Sequence, residues 1–190
     1  MTEGSNNTAT GANSLRSVTT GTNNTGFGQA SLYELTTGNY NIAVGRGALQ
    51  NTTTADSNTA VGHEALNDNT TGASNTAVGY YALTSNTTGN YNDAFGFRAL
   101  NTNTTGSYNT AVGYGALYSN TGTANLAVGY TALYDNTSGT YNTTVGYGAL
   151  TNNTTGSYGL AIGAFTLHNN TTQNHNFAMG YAAGYGSTTG

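Results

Sequence analysis

The chain has no cysteine, proline, tryptophan or lysine, and its only strong cations are Arg16, Arg46 and Arg98. Without cysteine there is no disulfide framework and no record of redox compartment. Three scattered arginines argue against nucleic acid, because phosphate binding needs clustered cations. Charged residues make up 5% of the chain, against about 25% in an ordinary soluble domain. The formal charge of −4 is spread thinly and builds no acidic tail. No apolar run approaches the length of a membrane span, so membrane insertion is not expected. Met1-Thr2-Glu3-Gly4-Ser5 does not open a signal peptide. The expectation is that the chain leaves the cell by another route, or that a leader or larger parent is missing.

What is present is asparagine, threonine, glycine and tyrosine in strict phase. Gly11, Gly28, Gly45, Gly62, Gly79, Gly96 and Gly113 stand 17 residues apart. One 16-residue step leads to Gly129, and the longer spacing resumes at Gly146, Gly163 and Gly180. A fixed period along the whole chain means one small unit stacked many times. The register argues against polar low-complexity disorder, since random tracts do not return Val, Ala and Leu to one phase every cycle.

Positions are counted here from each marker glycine as zero. Position −1 is large and apolar, as in Val44, Val61, Phe95, Ile162 and Met179, and position −2 is usually Ala. Ala recurs at +3 and Leu at +4, as in Ala116 and Leu117. Position −4 is Asn except where Gly159 replaces it. Two short apolar patches between Gly-rich turns predict two short strands per coil, hence an all-β parallel β-roll or β-solenoid. The patches are too short and glycine too frequent for helices. The marker glycine is expected where the backbone needs φ > 0 or very close approach. A second turn is expected at N-T-T-G, because Asn120-Thr121-Gly122 loses one residue there while both patches keep phase. Residues 7–183 then form one repeat domain, with a segment 1–6 before it and a tail 184–190 after it. Stacking at about 4.7–4.9 Å per coil gives a rod of roughly 48 Å. A core of one Val and one Leu per coil is thin, so burial against other copies is expected.

The strand Asn-Thr-Ala-Val-Gly at Asn58–Gly62, Asn75–Gly79 and Asn109–Gly113 resembles the N-S-V-A-I-G signature of the YadA-type head, the trimeric autotransporter adhesin module. The fuller phrase Asn109 to Leu117 is similar to repeats in the tail fibres of tailed phages. The resemblance covers nearly the whole chain. It implies a left-handed trimeric β-roll acting as a stiff shaft on a virion or cell surface, outside the cell, that binds a receptor or glycan. The adhesin unit is typically about 14 residues, and the added length here falls in the N-T-T-G turn.

Tyrosines are the leading contact candidates. Tyr80, Tyr114, Tyr130, Tyr147 and Tyr181, with Phe97, share position +1; Tyr40, Tyr91, Tyr108, Tyr141 and Tyr158 share +12. Exposed rings could stack on sugars and bond through their hydroxyls; alternatively they stack on one another or fill an interface between chains. Sequons begin at Asn51, Asn69, Asn86, Asn103, Asn136 and Asn153. They could carry a row of glycans, or merely follow from an Asn- and Thr-rich composition. The threonine row at +8 allows a minor ice-binding alternative. His63, Glu64 and Asp68 are the densest polar cluster, read as a solvated edge with Arg46 one coil away to pair with Glu64. His168 and His175 show no metal-ligand spacing, and the recurrent Asp of Ca²⁺-binding nonapeptides is absent. No catalytic residue, metal or cofactor is therefore expected. The functional expectation is a non-enzymatic structural and adhesive rod. A head-to-tail filament and a monomeric ice- or glycan-binding solenoid are the alternatives.

Overall fold

The computed structural model describes residues 4–187. Eleven three-residue strands follow in order: β1 (Thr8–Thr10), β2 (Thr25–Phe27), β3 (Ile42–Val44), β4 (Thr59–Val61), β5 (Thr76–Val78), β6 (Asp93–Phe95), β7 (Thr110–Val112), β8 (Leu126–Val128), β9 (Thr143–Val145), β10 (Leu160–Ile162) and β11 (Phe177–Met179). They form one parallel sheet in sequence order, so each coil pairs with the coil before and after it. The result is a β-solenoid. No helix among the described residues is long and apolar enough to cross a membrane.

The shortened coil keeps the sheet in register. Thr110 pairs with Leu126, and Leu126 with Thr143. The missing residue is absorbed in the turn at Thr121-Gly122, where no strand pairing is at stake.

The second apolar patch is not a strand, which corrects the expectation of two strands per coil. It forms a turn. Every +4 leucine from Leu15 to Leu167 lies in the left-handed region, with φ between 49° and 54°. Position +2 is left-handed as well, as at Tyr81 and Arg98. Such a conformation costs about 1–2 kcal/mol per residue. It also turns each leucine inward, and full burial of that side chain returns about 1.5–3 kcal/mol.

The core differs from the expected Val/Leu pair. Alanines at −2 and +3 and the +4 leucines are buried. In an extended strand alternate side chains oppose one another, so burying Ala at −2 turns −3 and −1 outward. Val61, Val112 and Val145 are accordingly 36–38% exposed. The outer face of the sheet is a band of Thr and Val flanked by tyrosines.

Two buried amide ladders complete the interior. At −4, Asn92 Oδ1 accepts from the backbone N–H and the Nδ2 of Asn109, both at 3.1 Å. Its Nδ2 donates to Asn75 Oδ1 at 3.1 Å and to the Gly106 carbonyl at 2.8 Å. At +7, Asn86 Nδ2 donates to Asn69 Oδ1 at 2.8 Å and to the Gly89 carbonyl at 3.0 Å. Both ladders converge on the same carbonyl: Gly106 accepts from Asn92 and from Asn103. Burying amides is tolerable because their donors and acceptors are matched coil to coil.

The marker glycines meet both expected demands. Gly113 has φ +134°, and a Cβ there would approach the backbone of Gly129 far inside contact distance. The turn glycine Gly106 has no positive φ, yet a Cβ would collide with the Gly122 carbonyl. Close packing alone requires it. Gly4 N–H donates to Thr19 O at 3.0 Å, and Tyr185 O accepts from Asn169 N–H at 3.2 Å. Residues 4–6 and 184–187 therefore continue the coils; 1–3 and 188–190 lie outside the described residues.

Candidate functional site

The solenoid carries side chains of one phase directly above one another, so each tyrosine position becomes a column. At +1, the ring centroids of Tyr80 and Phe97 lie 5.6 Å apart, Phe97 and Tyr114 5.0 Å, Tyr114 and Tyr130 5.0 Å, and Tyr130 and Tyr147 4.9 Å. All are stacked, with interplanar angles of 5–11°. His63 extends the column below Tyr80 at 5.1 Å. The column ends where Ala164 takes the position, and Phe165 meets Tyr147 edge-on instead. Tyr181 is beyond that break and 80% exposed.

The +12 column is broken into a pair and a run of three. Tyr91 stacks on Tyr108 at 5.1 Å; Tyr141 stacks on Tyr158 at 5.3 Å, followed by His175 at 5.1 Å. Ala124 occupies the step between Tyr108 and Tyr141, and Ser57 and Ser74 separate Tyr40 from Tyr91. These residues are also left-handed, with φ 55–60° at Tyr91, Tyr108, Tyr141 and Tyr158.

The stacking decides how these rings can touch a ligand. Inside a column each face is covered by the next ring, so edges and hydroxyls face outward. A sugar laid flat against a ring face is therefore confined to column ends and breaks. A third column, missed by attending only to +1 and +12, lies at +5. Tyr118 stacks on Tyr134 at 4.9 Å and His168 on Tyr185 at 5.1 Å. Its signal was available in the common phase of Tyr33, Tyr118, Tyr134 and Tyr185. Cations also approach these rings: Arg16 lies 5.5 Å from the Tyr33 centroid, and Arg98 5.3 Å from that of Phe97 and 5.9 Å from that of Tyr81.

The sequon expectation is corrected at five positions. Asn69, Asn86, Asn103, Asn136 and Asn153 are fully buried members of the +7 ladder. Their Nδ2 atoms, to which a glycan would be attached, donate to neighbouring carbonyls and amides. A glycan there is incompatible with the closed coil. Of the six, Asn51 alone is partly exposed, and its Nδ2 donates to Asp68 Oδ1 at 3.0 Å.

The polar cluster separates. Arg46 Nη1 lies 3.2 Å from Glu64 Oε1 and 2.9 Å from His63 Nε2, while Asp68 bonds to Asn51 instead. This exposed pair is worth about 0–1 kcal/mol. The Tyr81 phenol is held above its ordinary range, first by hydrogen bonding with Tyr80, then by burial and the Glu64 charge. Among the described residues no group of three His, Asp or Glu side chains could hold a metal, and no cavity is enclosed. At +8 the threonine hydroxyls point along the axis: Thr70 Oγ1 donates to Thr87 O at 2.9 Å and Thr137 Oγ1 to Thr154 O at 2.9 Å. Their hydrogens are spent on the neighbouring coil.

No family model, curated protein or solved structure matches the chain.

Proposed function

We propose that the protein is a non-enzymatic structural and adhesive shaft, displayed outside the cell on a virion or bacterial surface. In this reading copies associate along their sheet faces and contact receptors or glycans multivalently. One observation carries it: a single outward motif, Thr and Val on the strand with tyrosine columns beside it, recurs in register along the stack. The band is roughly 48 Å long from its coil spacing. Three residues per strand make the band about 10 Å wide. The strands alone therefore offer about 480 Å², and the flanking tyrosine columns must contribute the rest of the roughly 800 Å² per partner of a stable interface. Apolar atoms dominate the strand face; Asp93 is its one charged strand residue. The resemblance to YadA-type heads favours three chains and a left-handed roll. Weak contacts repeated along such a shaft sum to avidity.

Analytical ultracentrifugation tests the association. The wild-type chain sediments as a discrete trimer, and Val78→Lys combined with Val112→Lys shifts it to monomer with its β circular dichroism unchanged. A wild-type monomer at micromolar concentration refutes the assembly. Micrometre-long fibres in negative stain replace the shaft by the head-to-tail filament. On a glycan array, Tyr114→Ala with Tyr130→Ala reduces binding; unchanged binding removes the +1 column from the contact surface.

A further inference from the structure

We propose that the break in the +12 column at Ala124 is a binding notch for one planar, positively charged aromatic ring. Ala124 is in register with its neighbours: its N–H donates to Ser107 O at 3.0 Å, and Tyr141 N–H donates to Thr123 O at 3.2 Å. Tyr108 and Tyr141 therefore stand one coil to either side. Two steps of 4.7–4.9 Å separate them by about 10 Å. A ring at the midpoint lies about 5 Å from each, within the range of stacked aromatic pairs. The occupied steps of the same column measure 5.1 and 5.3 Å. The notch is thus one ring wide.

Its charge preference follows from the ring faces. Both walls present the negative face of a phenol ring. The chain itself shows what such faces accept: planar rings, as Tyr91 on Tyr108 at 5.1 Å and Tyr158 on Tyr141 at 5.3 Å, and a permanent cation, as Arg16 5.5 Å from the Tyr33 centroid. The faces of Tyr108 and Tyr141 that look toward Ala124 make no ring or cation contact among the described residues. With a net charge of −4, the chain favours a cationic occupant further. Ala124, half-buried, contributes only a methyl group where the neighbouring coils carry a ring. The notch goes beyond the association proposed above and deepens the reading of one column break, where a flat ligand can reach a ring face; the charge of the probe separates an aromatic cation from a neutral sugar.

N-methylquinolinium, a permanent planar cation, is the probe. It is titrated against the full chain by NMR, following the ring protons of Tyr108 and Tyr141. One molecule binds per chain. Ala124→Tyr fills the step and abolishes binding; tyrosine is sterically acceptable there, because Ala124 has φ 58° and Tyr108 has φ 60°. Tyr108→Ala removes one wall and weakens binding about 2–13-fold. Ser57→Tyr narrows the wider break, leaving Ser74 between the new ring and Tyr91, and raises the stoichiometry to two. Quinoline-6-carboxylate, of similar shape and opposite charge, binds at least about tenfold more weakly. Equal binding to the Ala124→Tyr chain, an unchanged stoichiometry in Ser57→Tyr, equal affinity for the carboxylate, or no binding at all overturns the proposal.

Discussion

Replacing Asn92 by alanine tests the buried amide ladder. The consequences differ from partner to partner. Asn75 Oδ1 still accepts the backbone N–H of residue 92, bonded at 2.9 Å. The Gly106 carbonyl keeps Asn103 Nδ2 at 2.9 Å, and Asn109 Nδ2 keeps the Gly122 carbonyl at 3.0 Å. The backbone N–H of Asn109 is different, because Asn92 Oδ1 is its acceptor and nothing replaces it. Orphaning that buried donor costs about 1–3 kcal/mol. With the weakened shared bonds and the small void added, Asn92→Ala loses about 3–5 kcal/mol. Asn92→Asp separates donor loss from acceptor loss. A carboxylate keeps the acceptor for Asn109 but turns an oxygen toward Asn75 Oδ1 and the Gly106 carbonyl. Burial and those oxygens raise its folded pKa above the unfolded value of about 3.9. Its protonated form therefore fits the coil. Stability is retained below the unfolded pKa and lost as pH rises through the folded one. Urea unfolding followed by circular dichroism at pH 7 and pH 3.5 measures both variants, each relative to wild type at the same pH. A loss under about 1 kcal/mol for Asn92→Ala refutes the ladder's energetic role. Absence of acid recovery in Asn92→Asp refutes the assignment of its donor side.

Other positions give independent checks. Gly113→Ala must abandon φ +134° and collide with the Gly129 backbone, so it costs about 3–5 kcal/mol. A thermal melt within a few degrees of wild type contradicts this. Thr144 takes the buried −2 position, and its Oγ1 has no partner among the described residues. Thr144→Val keeps the shape, removes the orphan hydroxyl and raises stability by about 1–2 kcal/mol, read as a higher urea midpoint. Burial raises the Asp135 pKa, so its ionised form opposes folding. Its stabilising contribution is present below the unfolded pKa and lost as pH rises through the folded value. Asp135→Asn is therefore more stable than wild type at pH 7, and the difference shrinks toward pH 3.5. A difference of the opposite sign rules the account out.

Much of this fold was legible because the period is a property of the sequence itself. The marker glycines located every coil, and the 16-residue step pointed to the turn that absorbs it. What a period does not state is which way a residue points. Val112 and Leu117 are both apolar and in phase, yet Val112 faces out and Leu117 in. The difference arises from positive φ at the leucine, a conformation that leucine's own preferences disfavour. The asparagines show the same limit. Asn103 matches a surface sequon, while its recurrence at +7 from Asn69 to Asn170 and its three-residue distance to Gly106 belong to a buried amide closing a turn. The tyrosine columns followed directly from phase, but the covering of one ring face by the next follows only from the short vertical step.

The strand pairing carries a kinetic consequence. Partners such as Thr110 and Leu126, or Leu126 and Thr143, are only one coil apart in sequence. Sheet proteins usually fold slowly because their pairings close long loops. Here a separation of about 17 residues in a 190-residue chain gives a relative contact order of about 0.09, the range of fast helical bundles. Each finished coil presents its Asn Oδ1 acceptor to the next segment of the chain, as Asn7 does to Asn24. The molecule can zip in one direction, coil by coil, without searching for a distant partner.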